Sequence, residues 1–232
     1  MKEFMGFQVG ILDLLQNINL LKGLFYIALV LKRRLDNMNI ISHRINTIAL
    51  LKDTPKLFGV EVDIRSIGDT LIIHHDPFIR GEIFEEWLKF YDHGTLILNV
   101  KEEGLESRLL ELMNKYQIED FFFLDQSFPF LKKTASQGES RCAVRVSEYE
   151  NISTALTLSG LVDWVWVDCF SYFPLNLEKA EELQSAGFKL CIVSPELQGR
   201  GGFSHVLDFR NKIESLGIKG DAVCTKHADL WG

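Results

Sequence analysis

Apolar residues fall along this chain in short runs separated by longer segments of mixed polarity. Runs rich in Val, Ile, Phe and Trp occupy 38–44, 58–66, 70–76, 95–101, 120–126, 141–147, 161–169, 189–194 and 221–225, each with strand length and strand composition. Between most of them the apolar positions recur at helical spacing, as in Leu105, Leu109, Leu112 and Met113, or in Leu177, Ala180, Leu183 and Ala186. Strand and helix in alternation predict parallel strands joined by helical crossovers. Only Ile67, Gly68 and Asp69 separate the second run from the third. A parallel crossover needs about a dozen residues, so these two runs form an antiparallel hairpin. Eight parallel strands remain, the number in a TIM-type (β/α)₈ barrel, with a doubly wound open sheet as the alternative. Pro77, Pro129, Pro174 and Pro195 each follow a strand run, on the face where such barrels carry their chemistry.

Residues 1–37 stand apart from this alternation. The unbroken apolar run from Gly23 to Leu31 is short of the roughly 20 residues of a spanning helix. No small-residue cleavage site follows it, and Lys32, Arg33 and Arg34 lie on the wrong side for a signal peptide. The expectation is an N-terminal helix over about 9–35, docked where an eighth barrel helix would sit, between the last strand and the first. Contact with a membrane surface is the less favoured alternative. The barrel domain is expected over 38–232, and Met38 offers a second start.

Composition narrows the class. Hydrophobic residues make up 47% of the 232 and charged residues 25%, enough for a packed core and too apolar for a disordered chain. The net charge of -7 lacks the electrostatic footprint of a nucleic-acid binder. Cys142, Cys169, Cys191 and Cys224 each sit in an apolar run without CxxC spacing, which reads as reduced core thiols in a cytoplasmic protein.

Polar residues gather at the C-terminal ends of the predicted strands. His43 and Arg44 end the first. Glu61 and Asp63 lie two apart in the second, so their side chains share one face, and Asn99 and Lys101 do the same in the strand after the hairpin. His74, His75 and Asp76 close the hairpin. Each feature also has a purely structural account: a solvated Glu-x-Asp pair, a salt bridge to Lys101 or Arg44, a His-Asp turn. Asp125, Arg145, Asp168, Glu196 and Lys226 also fall at strand ends, and Asp125 and Asp168 read as helix caps. Inward carboxylates are costly to bury unless paired or bound to a metal.

The ordered set of His43-Arg44, Asn46-Thr47, Glu61-x-Asp63 and His75-Asp76 resembles the N-terminal signature of the glycerophosphodiester phosphodiesterase family, and more distantly the phosphatidylinositol-specific phospholipases C. The likeness covers 41–78, with weaker traces at 96–101 and 221–225. It implies a TIM barrel and metal-dependent hydrolysis of a glycerophosphodiester or similar small polar phosphodiester, with a place in lipid metabolism. Under it His43 and His75 are the acid/base pair, Glu61 and Asp63 hold one divalent cation, and Asn99 adds an amide oxygen. Arg44 and Lys101 meet the phosphate. All-oxygen ligation implies Mg²⁺ or Ca²⁺. The chain departs from the family at Ile45, where a glycine is usual, in a shorter first loop, at Asn99, where a glutamate is usual, and at Lys226, where an aspartate commonly stands. A metal-independent phospholipase C-like lyase and a non-catalytic phospho-ligand barrel are the alternatives.

The spacing leaves one choice open. A two-residue Gly68-Asp69 turn pairs Asp63 with His74, a three-residue turn pairs Glu61 with His75, and a bend before Pro77 exchanges the faces. The resemblance selects His75.

Overall fold

A computed structural model describes residues 38–231; the expected helix over about 9–35 lies outside them. In chain order the strands are β1 (Asn39–Ser42), β2 (Gly59–Ile67), β3 (Thr70–Ile73), β4 (Glu82–Ile83), β5 (Leu96–Val100), β6 (Phe121–Leu124), β7 (Ala143–Val146), β8 (Trp164–Val167), β9 (Lys189–Val193) and β10 (Ala222–Thr225). All nine expected runs are strands; β4, only two residues long, is the addition.

The parallel strands form a ring. β1 pairs with β2 on one side and β10 on the other. From β2 the ladder passes to β5 and β6, and from β10 to β9, β8 and β7. β6 and β7 meet through a single bridge, Phe123 to Cys142, with Phe123 N–H donating to the Arg141 carbonyl at 2.8 Å. This is a TIM-type barrel, partly open at that seam. No helix among the described residues is long and apolar enough to cross a membrane, and the four cysteines are free and buried.

The period of two along each strand divides the core. One apolar cluster fills the ring, including Ile41, Ile97, Phe122, Trp166, Val193 and Cys224. The alternate residues, such as Val60, Val62 and Ile64, pack outward into a second cluster with helix residues such as Leu109 and Met113. Seven of the eight parallel strands supply apolar side chains to the interior cluster. β2 does not: Glu61 and Asp63 lie in register with Ile97 and Asn99, so the inward positions of that strand carry carboxylates.

After β2 the chain makes an antiparallel excursion. Ile67 pairs with Thr70 around the two-residue Gly68-Asp69 turn, and Ile73 pairs with Glu82 of β4. Gly81 is required there, since a Cβ would fall 1.9 Å from the Ile73 carbonyl oxygen. The excursion then staples the loop after β1. Glu82 accepts from Ile48 N–H at 2.7 Å, and buried Trp87 donates its indole N–H to the Ile45 carbonyl at 3.1 Å.

Fully buried Phe122 stacks on Trp164 inside the ring with centroids 4.6 Å apart. Phe122→Ala should therefore cost about 3–5 kcal/mol, the usual range for emptying an aromatic core position, measured by denaturant unfolding. A loss below about 1 kcal/mol would show that the interior is not packed as described.

Candidate functional site at the carboxyl ends of the strands

The site starts where β1 ends. His43 N–H donates to the Thr225 carbonyl at 3.0 Å, extending the β1–β10 ladder by one residue. Arg44 then takes φ 57°, the left-handed region that costs a side-chain-bearing residue free energy and recurs at functional turns. The turn aims two amides at β2: Arg44 N–H donates to Glu61 Oε2 at 2.7 Å, and Ile45 N–H to the Glu61 carbonyl at 2.8 Å. Asn46 brackets Asp63, its Nδ2 donating to Oδ2 at 2.7 Å while its Oδ1 accepts from Asp63 N–H at 3.0 Å.

Glu61 and Asp63 are both 0% exposed. Asn99, in register with Asp63, donates Nδ2 to Glu61 Oε1 at 2.8 Å. Lys101 Nζ stands 3.3 Å from Asp63 Oδ1 and 3.1 Å from Asp125 Oδ2, and Arg44 Nε 3.7 Å from Asp63 Oδ2. These donors do not fully offset burial. Desolvation and the neighbouring Asp63 charge push Glu61 up to about 7, against the pull of Asn99, the Arg44 amide and Lys101. His43 Nε2 lies 3.8 Å from Glu61 Oε2, and its Nδ1 is buried without a hydrogen-bond partner. Burial, then the charges of Arg44, Lys226, Lys101 and His75, lower its pKa to about 3, so its imidazole is neutral near pH 7.

A cation fits this donor set. Asp63 Oδ1 and Asn99 Oδ1 are buried oxygens without hydrogen bonds, on neighbouring strands at one register position. Lys101 contributes charge near Asp63 Oδ1 without a hydrogen bond to it. Two carboxylates and an amide oxygen are hard ligands suited to Mg²⁺ or Ca²⁺. No group of three His, Cys, Asp or Glu able to hold a metal occurs among the described residues.

The two-residue turn carries its register to the end of the hairpin, where His74 N–H donates to the Asp63 carbonyl at 3.0 Å. β3 stops at Ile73, and the chain bends through His75 and Asp76, so strand alternation no longer assigns the faces. His74 folds back on its own loop, its Nδ1 accepting from Asp76 N–H at 2.9 Å. His75 Nδ1 meets Asp76 Oδ1 at 2.7 Å, and its carbonyl accepts from Arg65 Nη2 at 2.9 Å. That contact orients the ring and leaves Nε2 as its other nitrogen.

On the far side of the mouth, Asp125 and Asp168 are not helix caps. Asp125, at φ 61°, binds Lys101 and Arg145, and Arg145 Nη1 reaches Asp168 Oδ2 at 3.4 Å. Burial raises the Asp125 carboxyl, but Arg145 and Lys101 outweigh it and hold the group below the usual range. Asp168 also accepts from Gln198 Nε2 at 2.7 Å. Buried Glu196 accepts from Thr225 Oγ1 at 2.6 Å and Lys226 N–H at 2.9 Å. The network joins residues about twenty apart in the chain, and only their shared place at strand ends marked them.

No protein-family profile matches this chain, and no curated protein matches it by sequence. Solved structures do. It is similar to a glycerophosphodiester phosphodiesterase from Agrobacterium tumefaciens C58, with TM-score 0.56 and 14% identity over 84% of this chain and 98% of that one. A second protein from that organism, provisionally described as a glycerophosphoryl diester phosphodiesterase, superposes with TM-score 0.59 at 14% identity over 84% and 95%. A glycerophosphoryl diester phosphodiesterase from Parabacteroides distasonis gives TM-score 0.57 at 13% identity over 84% and 85%. At these identities the likeness establishes a shared fold.

Proposed function

We propose that this chain is a hydrolase of small polar phosphodiesters, of the glycerophosphodiester kind, working with one bound Mg²⁺ or Ca²⁺. The observation that carries the reading is the inward, fully buried Glu61–Asp63 pair, set beside a neutral imidazole at the carboxyl ends of a barrel whose structural relatives are named as such phosphodiesterases. A cytoplasmic location belongs to the same reading, in keeping with the free cysteines.

Glu61, Asp63 and Asn99 would hold the cation, which when bound would supply neutralisation of phosphoryl charge. Arg44 and Lys101 oppose the remaining negative charge as it grows in the transition state. His43, neutral and deep in the mouth, accepts a proton from the attacking water. As the water oxygen bonds to phosphorus, the bond from phosphorus to the alcohol oxygen breaks. His75, steered by Asp76, delivers a proton to the departing alkoxide.

One contact favours a second reading, a metal-independent lyase: Lys101 Nζ lies 3.3 Å from Asp63 Oδ1, so a resident ammonium already touches the carboxylate pair. The two readings separate on turnover of glycerophosphoinositol, which carries a hydroxyl beside the phosphoester, before and after exhaustive chelation. Hydrolysis should vanish with EDTA and return with added cation; cleavage that persists through chelation and yields a cyclic phosphate promotes the lyase.

The histidines should differ. His75→Ala is expected to lose at least about a hundredfold in turnover, the usual scale for a general acid or base, and His74→Ala far less, as its Nδ1 is spent on its own loop. The reverse ranking would move the proton-transfer role to His74.

Asn99→Glu removes the amide donor to Glu61 and adds a third carboxylate. Calorimetric titration should show tighter Mg²⁺ or Ca²⁺ binding in this variant. Unchanged affinity would remove position 99 from the ligands.

A further inference from the structure

We propose that Lys226 is a binding residue for a second negative charge on the substrate, so that the preferred class is a phosphodiester whose alcohol carries its own phosphate or carboxylate. This rests on the phosphodiesterase reading above and adds to it the choice of alcohol.

The register places the residue. Ile41 pairs with Cys224, and both side chains belong to the interior cluster. Ser42 then pairs with Thr225, and His43 N–H donates to the Thr225 carbonyl. Lys226 follows β10 directly, as His43 follows β1, and the Lys226 charge acts on the His43 imidazole. Lys226 therefore rises at the barrel mouth beside the imidazole proposed as the base.

Its backbone is fixed and its side chain is free. Glu196, buried between β9 and β10, accepts from Lys226 N–H at 2.9 Å and from Thr225 Oγ1 at 2.6 Å. The Lys226 side chain is exposed. The other mouth cations already have carboxylate partners: Arg44 has Asp63, Lys101 has Asp63 and Asp125, and Arg145 has Asp125 and Asp168. Among the ion pairs of the described residues none involves Lys226. Arg200 also has no ion pair among the described residues, but it donates to the Cys169 carbonyl at 3.3 Å, whereas the Lys226 ammonium has no carboxylate partner among them.

A diester phosphate carries one negative charge, and Arg44, Lys101 and the bound cation already face it. A further unpaired ammonium gains little from that charge and much from a separate anion within reach of the mouth, while it repels a cationic head group such as trimethylammonium. An exposed lysine elsewhere on the surface would be merely solvated; this one is held by its strand at the substrate's entrance.

The test is a matched pair of substrates differing by one phosphate, glycerophosphoinositol and glycerophosphoinositol 4-phosphate, assayed on the full chain with Mg²⁺ or Ca²⁺. The 4-phosphate should show a kcat/KM at least about tenfold higher, carried mainly by KM, which is the effect of one ion contact of about 1.4 kcal/mol. Lys226→Met should bring the ratio towards one, Lys226→Arg should keep it, and added salt should shrink it in the native protein through screening. Equal kcat/KM for the two esters would overturn the proposal, and so would a preference that survives Lys226→Met. If neither ester nor bis(p-nitrophenyl) phosphate is turned over with either cation, the phosphodiesterase reading fails and this proposal falls with it.

Discussion

Two carboxylates on the inner face of one barrel strand govern the rest of this site. Glu61 and Asp63 have no access to water, and a buried charge without compensation costs several kcal/mol. The surroundings are arranged to meet that cost in part. Backbone N–H of Arg44, the Asn46 and Asn99 amides, and the Lys101 ammonium all converge on the pair. Compensation stops short of completion, since Glu61 is still pushed up to about 7. A divalent cation would relieve that deficit, and Asp63 Oδ1 and Asn99 Oδ1 are buried without hydrogen-bond partners.

The scaffold serves this arrangement at some distance. The loop after β1 holds Arg44 in the left-handed region, and the antiparallel excursion keeps it there through Glu82 and Trp87. The same excursion delivers His75 and Asp76 to the mouth. A segment that interrupts the β/α alternation thus both clamps one histidine loop and carries the other. Across the barrel, Asp125 ties Lys101 to Arg145 and Asp168, so the cation beside Asp63 is shared with a second, independently anchored set of charges. A substitution at Asp168 is connected to Lys101 through three ion pairs, by way of Arg145 and Asp125.

Much of this was legible in the chain. The period of two placed Glu61 and Asp63 on one face, and the short gap at Gly68 ruled out a parallel connection, because both follow from backbone geometry alone. β4 escaped because two residues, Glu82 and Ile83, carry no periodicity. The bracketing of Asp63 by Asn46 spans seventeen positions and depends on a left-handed Arg44 that no pattern announces. Asp125 and Asp168 looked like caps because an aspartate after a strand usually is one. Only the meeting of the ends of β6, β7 and β8 at the mouth brings them to the two ends of the Arg145 guanidinium. Turn length sets the hairpin register, yet the bend after Ile73 uncouples that register from which histidine faces the carboxylates.

If the Glu61–Asp63 pair binds a cation, the melting temperature of the native chain registers it. At a hundredfold excess over Kd, a ligand that binds only the folded state stabilises it by about 2.7 kcal/mol, a rise in Tm of about 5–10 °C for a domain of this size. The account predicts such a rise with Mg²⁺ or Ca²⁺, and none in a protein carrying Glu61→Gln together with Asp63→Asn. A native Tm that neither ion moves at millimolar concentration would contradict it.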